Sequence, residues 1–205
     1  MTCAHCCQNC EPGKGEDMPF DIWKQYCDME EMATLGGGEP TLHPEFWKFL
    51  CYALGRCDYV WLATNGSQTQ IALTLALMVK GIEKLSVELS LDEYHDPIDP
   101  EVEWAFRQLP HAIRTISETV AFDRGRPFIV GQDPIKAGRC DWGREGECVC
   151  NDMQLYPDGN IRYCGCDDSP WIGTIEDWMY PEFECWIQAK QDEEELERFS
   201  GKELK

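Results

Sequence analysis

The first ten residues, MTCAHCCQNC, contain four cysteines whose spacing could do chemistry: Cys3, Cys6, Cys7 and Cys10. Disulfides, a zinc site and an iron–sulfur site would each use such thiols. Zinc sites usually pair two Cys-x2-Cys knuckles about 12 or more residues apart, whereas here the two knuckles are adjacent. A second parsing, Cys3-x3-Cys7-x2-Cys10, gives three thiolates and leaves Cys6 over. Three thiolates can hold three irons of a 4Fe–4S cube while the fourth iron keeps an open coordination site.

A second group of five cysteines follows much later in the chain. It consists of Cys140, the pair Cys148 and Cys150, and the pair Cys164 and Cys166. The segment LYPDGNIRY between the pairs has two short strand-like pieces around a Pro-Asp-Gly turn, which predicts a hairpin. Two Cys-x-Cys pairs at the ends of one hairpin can bring four thiolates together, and either an iron–sulfur cluster or zinc would accept that set.

The segments between the two cysteine groups alternate between helical and strand-like patterns. Helices are predicted in MPFDIWKQYCDMEEM, HPEFWKFLCYALGRC, QTQIALTLALMVKG and PIDPEVEWAFRQLP, and strands in MATLGGGEP, DYVWLATNG, EKLSVELSLDEYHD and HAIRTISETVAF. This order predicts an α/β fold with a parallel sheet and right-handed crossovers. In such sheets, functional residues collect in the loops at the carboxyl ends of the strands.

Three polar turns should therefore meet at one edge of the sheet. They are the glycine turn at 36–38, the Thr64-Asn65-Gly66 turn and the loop at 92–96. The last of these reads DEYHD and is either a solvated loop or a substrate-facing one. In the second case its catalytic candidates, which would position the substrate or move a proton, are Tyr94, His95 and Asp96.

The cysteine triplet and the glycine turn together resemble a known superfamily. The spacing Cys3-x3-Cys7-x2-Cys10 matches the cluster motif of the radical S-adenosylmethionine (SAM) enzymes, and the turn GGGEP is similar to their GGEP turn. The resemblance implies that the cysteine triplet holds a 4Fe–4S cluster and that the turn lies against the methionine part of SAM. The turn residues implied as cofactor-binding are Gly36, Gly37, Gly38, Glu39 and Pro40.

Two later strand endings extend this resemblance. The segments LATNG and ELSLD resemble the third and fourth strand endings of the superfamily, which implies that Thr64, Asn65, Ser90 and Asp92 contact the cofactor. The match covers roughly Cys3 to Asp96 and implies a partial (β/α)6 TIM-like barrel. The family has a strand before its cysteine loop, whereas only two residues precede Cys3. The first strand is therefore missing or supplied from elsewhere, or the barrel is shorter than usual.

The second cysteine group resembles the SPASM or twitch modules of radical enzymes that act on peptides, although their later cysteines are absent. This implies an auxiliary iron–sulfur cluster, or zinc, on Cys148, Cys150, Cys164 and Cys166, with Cys140 as a further candidate. The predicted domains are a radical SAM core at 1–136, a cysteine-rich module at 137–178 and an acidic helix or tail at 179–205.

The function that the resemblance implies is reductive cleavage of SAM to a 5′-deoxyadenosyl radical. That radical would abstract a hydrogen atom from a peptide or protein side chain. The alternatives are modification of a nucleotide or small metabolite, and a non-catalytic zinc or iron–sulfur scaffold. A flavodoxin or ferredoxin is implied as the electron donor.

The charge and composition of the chain limit which partners it is expected to bind and in which cellular compartment we expect it. The chain has 205 residues and a formal net charge of −20, which disfavours binding to long nucleic acids. No apolar run approaches the roughly 20 residues that span a membrane, and the amino terminus lacks the pattern of a secretory signal. Thirteen cysteines without an export signal favour a reducing compartment, so we expect a cytoplasmic protein. The remaining cysteines are expected to be small buried residues: Cys27, Cys51, Cys57 and Cys185.

Overall fold

The main body of the protein alternates helices and strands between residues 20 and 114. The computed structural model describes residues 13, 15–91, 95–110, 112–114, 120–123, 126–129, 135–137, 140–143, 153–163 and 169–178. For Arg114 and for the strands between 120 and 143 it describes only the backbone. The helices of the main body are α1 (Phe20–Met29), α2 (Phe46–Arg56), α3 (Thr69–Val79) and α4 (Pro100–Arg107). Its strands are β1 (Met32–Leu35), β2 (Tyr59–Thr64), β3 (Leu85–Ser90) and β4 (Ile113–Arg114).

The four strands form one parallel sheet in the order β1-β2-β3-β4. Leu35 is in register with Leu62, and Leu62 with Val87. Because neighbouring strands are parallel, each is reached through a helical crossover, and their carboxyl ends lie at the same edge. The predicted parallel α/β arrangement is confirmed. Its extension to a partial (β/α)6 barrel stays a prediction.

One face of this sheet carries the hydrophobic core. The apolar residues of this sheet that are at most 7% exposed alternate along the strands: Ala33, Leu35, Val60, Leu62, Leu85, Val87 and Leu89. They form a single cluster with the buried residues of all four helices. Full burial of each Val or Leu side chain contributes about 1.5–3 kcal/mol. The intervening residues of β2 and β3 are only partly buried, so in the described part of the chain the helices cover one face of the sheet.

Local signals explain where the helices begin and how they pack. The Asp99 side chain accepts a hydrogen bond from the Glu101 N–H at 2.9 Å, and Pro100 occupies the first turn of α4; both features favour a helix start. Helices α1 and α2 are joined by the Trp23 indole, which donates to the Phe49 carbonyl at 3.0 Å.

Two short hairpins follow the parallel sheet. Strand β5 (Val120–Asp123) pairs with β6 (Arg126–Ile129), and β7 (Ile135–Ala137) pairs with β8 (Cys140–Gly143), both antiparallel. The segment HAIRTISETVAF was expected to be one strand, and this is wrong, since it contributes to β4 and to β5 in two different sheets. Only two residues, one of them a glycine, separate β5 from β6 in the sequence, and such spacing favours a local hairpin.

A second, antiparallel sheet contains the hairpin predicted between the later cysteines. Its strands are β9 (Gln154–Leu155), β10 (Asn160–Arg162), β11 (Trp171–Thr174) and β12 (Asp177–Trp178), in the order β12-β11-β10-β9. Gly159 takes a φ of +82° in the turn, which glycine adopts without strain. A Cβ placed on Gly159 would lie 3.5 Å from Ile22 Cδ1, so the turn packs against α1. The predicted domain boundaries at 136 and 178 stay predictions.

No helix within the described ranges has the length and apolar character needed to cross a membrane.

Candidate functional site

The candidate site lies at the edge of the parallel sheet where β1, β2 and β3 end. The glycine turn follows β1, the Thr64-Asn65-Gly66 turn follows β2, and the loop that contains His95 follows β3. Hydrogen bonds between the first two turns bring together residues about 25 positions apart in the sequence. This juxtaposition is the one expected from parallel strand order.

The glycine turn leaves open space beside its backbone. Gly36, Gly37 and Gly38 are all exposed, and Gly37 has a φ of +107°, in the region that favours glycine. A Cβ placed on Gly36 or Gly37 would meet no atom within 4 Å. The turn therefore offers backbone polar groups to a ligand that approaches closely.

Glu39 is the hydrogen-bonding centre of the turn. Its Oε1 accepts from the Thr41 N–H at 3.2 Å, from the Thr41 hydroxyl at 2.5 Å and from the Thr64 hydroxyl at 2.7 Å. Its Oε2 accepts from the Asn65 N–H at 2.7 Å. Pro40 begins a short 3-10 turn, Pro40–Leu42, which Glu39 caps. The carboxylate thus links the loop after β1 to the loop after β2.

The loop after β2 is buried, and its Thr64 and Asn65 side chains form hydrogen bonds within the protein. Thr64 is 1% exposed and Asn65 8%. The Thr64 hydroxyl donates to Glu39 and accepts from the Gly66 N–H at 3.1 Å, while Asn65 Oδ1 accepts from the Ser67 N–H at 2.9 Å. The Thr64 hydroxyl is therefore engaged on both sides within the protein.

Arg114 lies at the same edge of the sheet, which its sequence context alone did not predict. The backbone of Arg114 is in register with the predicted cofactor residue Ser90 on the neighbouring strand, and Ser90 is partly buried. Because the strands are parallel and in register, the two residues lie on the same face at the carboxyl edge. The only sequence signal was a cation at the end of the short strand β4.

The loop after β3 is described in part. His95 is partly buried and Asp96 is exposed. The other predicted residues of this loop, Asp92 and Tyr94, lie outside the described residues.

Seven predicted metal ligands lie outside the described residues: Cys3, Cys7, Cys10, Cys148, Cys150, Cys164 and Cys166. Of Cys140, the further candidate, the structure describes only the backbone. In the ranges that the structure describes, no three side chains of His, Cys, Asp or Glu are grouped to hold a metal ion, so the assignment of these ligands stays a prediction.

Two of the remaining cysteines are buried as expected. Cys27 is 2% exposed and Cys57 is 1% exposed, and the Cys57 thiol contacts the Cys27 carbonyl at 3.8 Å. Burial raises the pKa of both thiols, which disfavours their reactive thiolate forms. Cys51 is exposed, so its expected burial is wrong, because it lies on the solvent side of α2.

His43 contacts both the segment that precedes α1 and the helix α2. Its Nδ1 accepts from the Glu45 N–H at 3.1 Å, so its Nε2 carries the proton and donates to the Met18 carbonyl at 3.2 Å. The centroid of the His43 ring also lies 4.5 Å from the centroid of the Phe49 ring. The residue therefore ties the segment before α1 to the loop after the glycine turn.

Comparison with known proteins gives a partial similarity. No family model matches the chain. It is similar to the mycofactocin maturase MftC of Mycobacterium tuberculosis (strain H37Rv), Mycobacterium ulcerans (strain Agy99) and Mycolicibacterium smegmatis, at 29% identity over 100 residues in each case. The matched residues make up 44% of this chain, 25% of the M. tuberculosis and M. smegmatis proteins and 27% of the M. ulcerans protein.

The chain thus spans about a quarter of the length of the curated relatives it matches. This similarity supports the predicted resemblance to the radical SAM superfamily.

Proposed function

We propose that this chain is a radical SAM enzyme that acts on a peptide or protein side chain. The observation that carries the proposal is the hydrogen-bonded junction of the glycine turn with the end of β2. It lies at the carboxyl edge of a parallel sheet, in a chain that begins with Cys3-x3-Cys7-x2-Cys10. The similarity to mycofactocin maturases supports the same assignment. The sheet is proposed to extend into a partial (β/α)6 barrel.

Cys3, Cys7 and Cys10 are proposed to hold the 4Fe–4S cluster. When bound, the cluster supplies an electron that cleaves SAM into methionine and a 5′-deoxyadenosyl radical. The protein's part is to bind and orient SAM and substrate and to exclude competing reactions.

The carboxyl edge is proposed to bind SAM along its length. The backbone of Gly36–Gly38, in the turn that Glu39 shapes, receives the methionine end, with Pro40, Thr64 and Asn65 fixing the neighbouring backbone. Ser90 and Asp92 are proposed to contact the ribose and carboxylate.

The substrate is proposed to approach the loop after β3. Tyr94, His95 and Asp96 would position it or move a proton there. A peptide substrate is favoured because the relatives are named maturases and because the later cysteines frame a hairpin like that of a SPASM module. That module, proposed for 137–178, would hold an auxiliary iron–sulfur cluster or zinc. A flavodoxin or ferredoxin in the cytoplasm would supply electrons.

Anaerobic reconstitution of the full chain with iron and sulfide tests this function. We expect bound iron, absorbance near ~400 nm from thiolate-ligated iron–sulfur, and 5′-deoxyadenosine after dithionite and SAM are added. Iron uptake with intact SAM would instead favour the non-catalytic scaffold. A chain that takes up no iron and leaves SAM intact would contradict the proposal altogether.

A further inference from the structure

We infer that Glu39 is a positioning residue, which orders the glycine turn through Thr41, Thr64 and Asn65 rather than by contact with SAM. This inference rests on the proposed function for its ligand. Its structural basis is the set of four hydrogen bonds that the carboxylate accepts from those three residues.

Most of the acceptor capacity of the carboxylate is already used within the protein. An ionised carboxylate offers about four lone-pair positions, two on each oxygen. Glu39 accepts three hydrogen bonds at Oε1, which is fully engaged, and one at Oε2. The open space lies beside the backbone of Gly36 and Gly37.

The donors themselves are buried and depend on Glu39. Thr41 is 3% exposed and Thr64 is 1% exposed, so loss of the carboxylate would leave their hydroxyl groups without their acceptor in the interior. Hydrogen bonds to a charged acceptor are roughly twice as strong as neutral ones. Glu39 therefore determines how the loop after β1 lies against the end of β2.

Thr64 provides the test that separates positioning from direct charge pairing. Thr64→Val keeps the side-chain shape but removes the hydroxyl that holds Glu39, whereas Thr64→Ser keeps the hydroxyl. If Glu39 acts through the turn, Thr64→Val should raise the Kd for SAM about tenfold, as expected for loss of one hydrogen bond to a charged group. Thr64→Ser should restore the Kd to within about twofold of wild type. The Kd is measured by equilibrium dialysis on the anaerobically reconstituted full chain.

Glu39→Gln is the second variant of this test. Its amide nitrogen would face either the Asn65 N–H or the threonine donors, so we expect it to weaken SAM binding, and less than additively when combined with Thr64→Val. A direct counter-charge role predicts the opposite pattern. Glu39→Gln would then weaken SAM binding while Thr64→Val left it unchanged, and that result would overturn the inference.

Amide hydrogen exchange on the metal-free full chain keeps the inference testable without SAM. Residues 36–41 should exchange faster in Thr64→Val and Glu39→Gln, and at the wild-type rate in Thr64→Ser. Unchanged exchange in both of the first two variants would refute the positioning role. A wild-type chain that fails to bind SAM would contradict the proposed function alone, since the exchange result decides the role of Glu39 independently.

Discussion

The Asp28 carboxylate shows how single side chains join the helices that support the site. Its Oδ2 accepts from Lys24 Nζ at 2.5 Å within α1. Its Oδ1 accepts from the Tyr52 hydroxyl at 2.8 Å and from Arg56 Nε at 2.7 Å, both on α2. The hydrogen bond from Lys24, followed by that from Tyr52 and the contact with Arg56, lowers the pKa of Asp28 to about 2.

The lowered pKa predicts an acid-sensitive contribution to stability. An unfolded Asp titrates near ~3.9, so the folded carboxylate adds stability above about pH 4 that is lost as the pH falls towards 2. Asp28→Asn should lower the Tm of the metal-free full chain at pH 7 and reduce the further loss between pH 4 and pH 2. Asp21→Asn, an exposed change on the same helix, is the control. An unchanged acid dependence in Asp28→Asn would contradict the prediction.

At the residue scale, the sequence identifies site residues better than it identifies their partners. Glu39 and Thr64 were both predicted as cofactor contacts, and the structure brings them within 2.7 Å of each other. Nothing in the sequence indicates this bond, because 25 residues separate the two and the register of β1 with β2 creates it. The position of Arg114 was not predicted for the same reason, since only strand pairing places its backbone beside that of Ser90.

The β2–α3 loop is held closely against β3 and α4 at Gly66. The residue has a φ of +72°, and a Cβ there would lie 2.8 Å from Leu89 Cδ1, 3.2 Å from Ile98 Cδ1 and 3.3 Å from Val102 Cγ1. Both the backbone conformation and the space therefore require glycine.

Gly66→Ala should destabilise the protein for these two reasons. The left-handed backbone costs about 1–2 kcal/mol, and displacement of the neighbouring side chains about 1–3 kcal/mol more. Gly81→Ala, beyond α3, is the matched control because its nearest atom is Met78 O at 4.0 Å; its effect should stay within about 0.5 kcal/mol. Urea unfolding of the metal-free full chain measures both. Equal free energies of unfolding for Gly66→Ala and wild type would contradict this account.

At the element scale, hydrophobic periodicity predicted the helices around the parallel sheet correctly, but it did not predict the strands that follow. Each of the four predicted helices is present, because apolar residues at helical spacing face a common core. HAIRTISETVAF gave a single strand-like pattern, and the structure uses its two ends in different sheets. Such a division depends on pairing partners elsewhere in the chain, which a local pattern does not specify.

At the scale of the whole molecule, the sheet has two unlike faces. Helices cover the face lined by Val60, Leu62 and Val87. The opposite face is partly buried and includes Glu88 and Ser90. A parallel sheet with helices on one side is compatible with the predicted partial barrel, which stays a prediction. The strand alternation that produces this division is readable from the sequence, whereas barrel closure depends on long-range pairing that is not.

This sheet edge and the amino-terminal cysteines are proposed to cleave SAM together. The most direct measurement is 5′-deoxyadenosine formation by the anaerobically reconstituted full chain with dithionite, in wild type, Cys7→Ala and Cys6→Ala. We predict that wild type and Cys6→Ala form the product and that Cys7→Ala does not. Cys7 belongs to the proposed ligand triplet, whereas Cys6 does not. Full cleavage by Cys7→Ala would contradict the ligand assignment, and no product from the iron-loaded wild type would contradict the proposed cleavage of SAM.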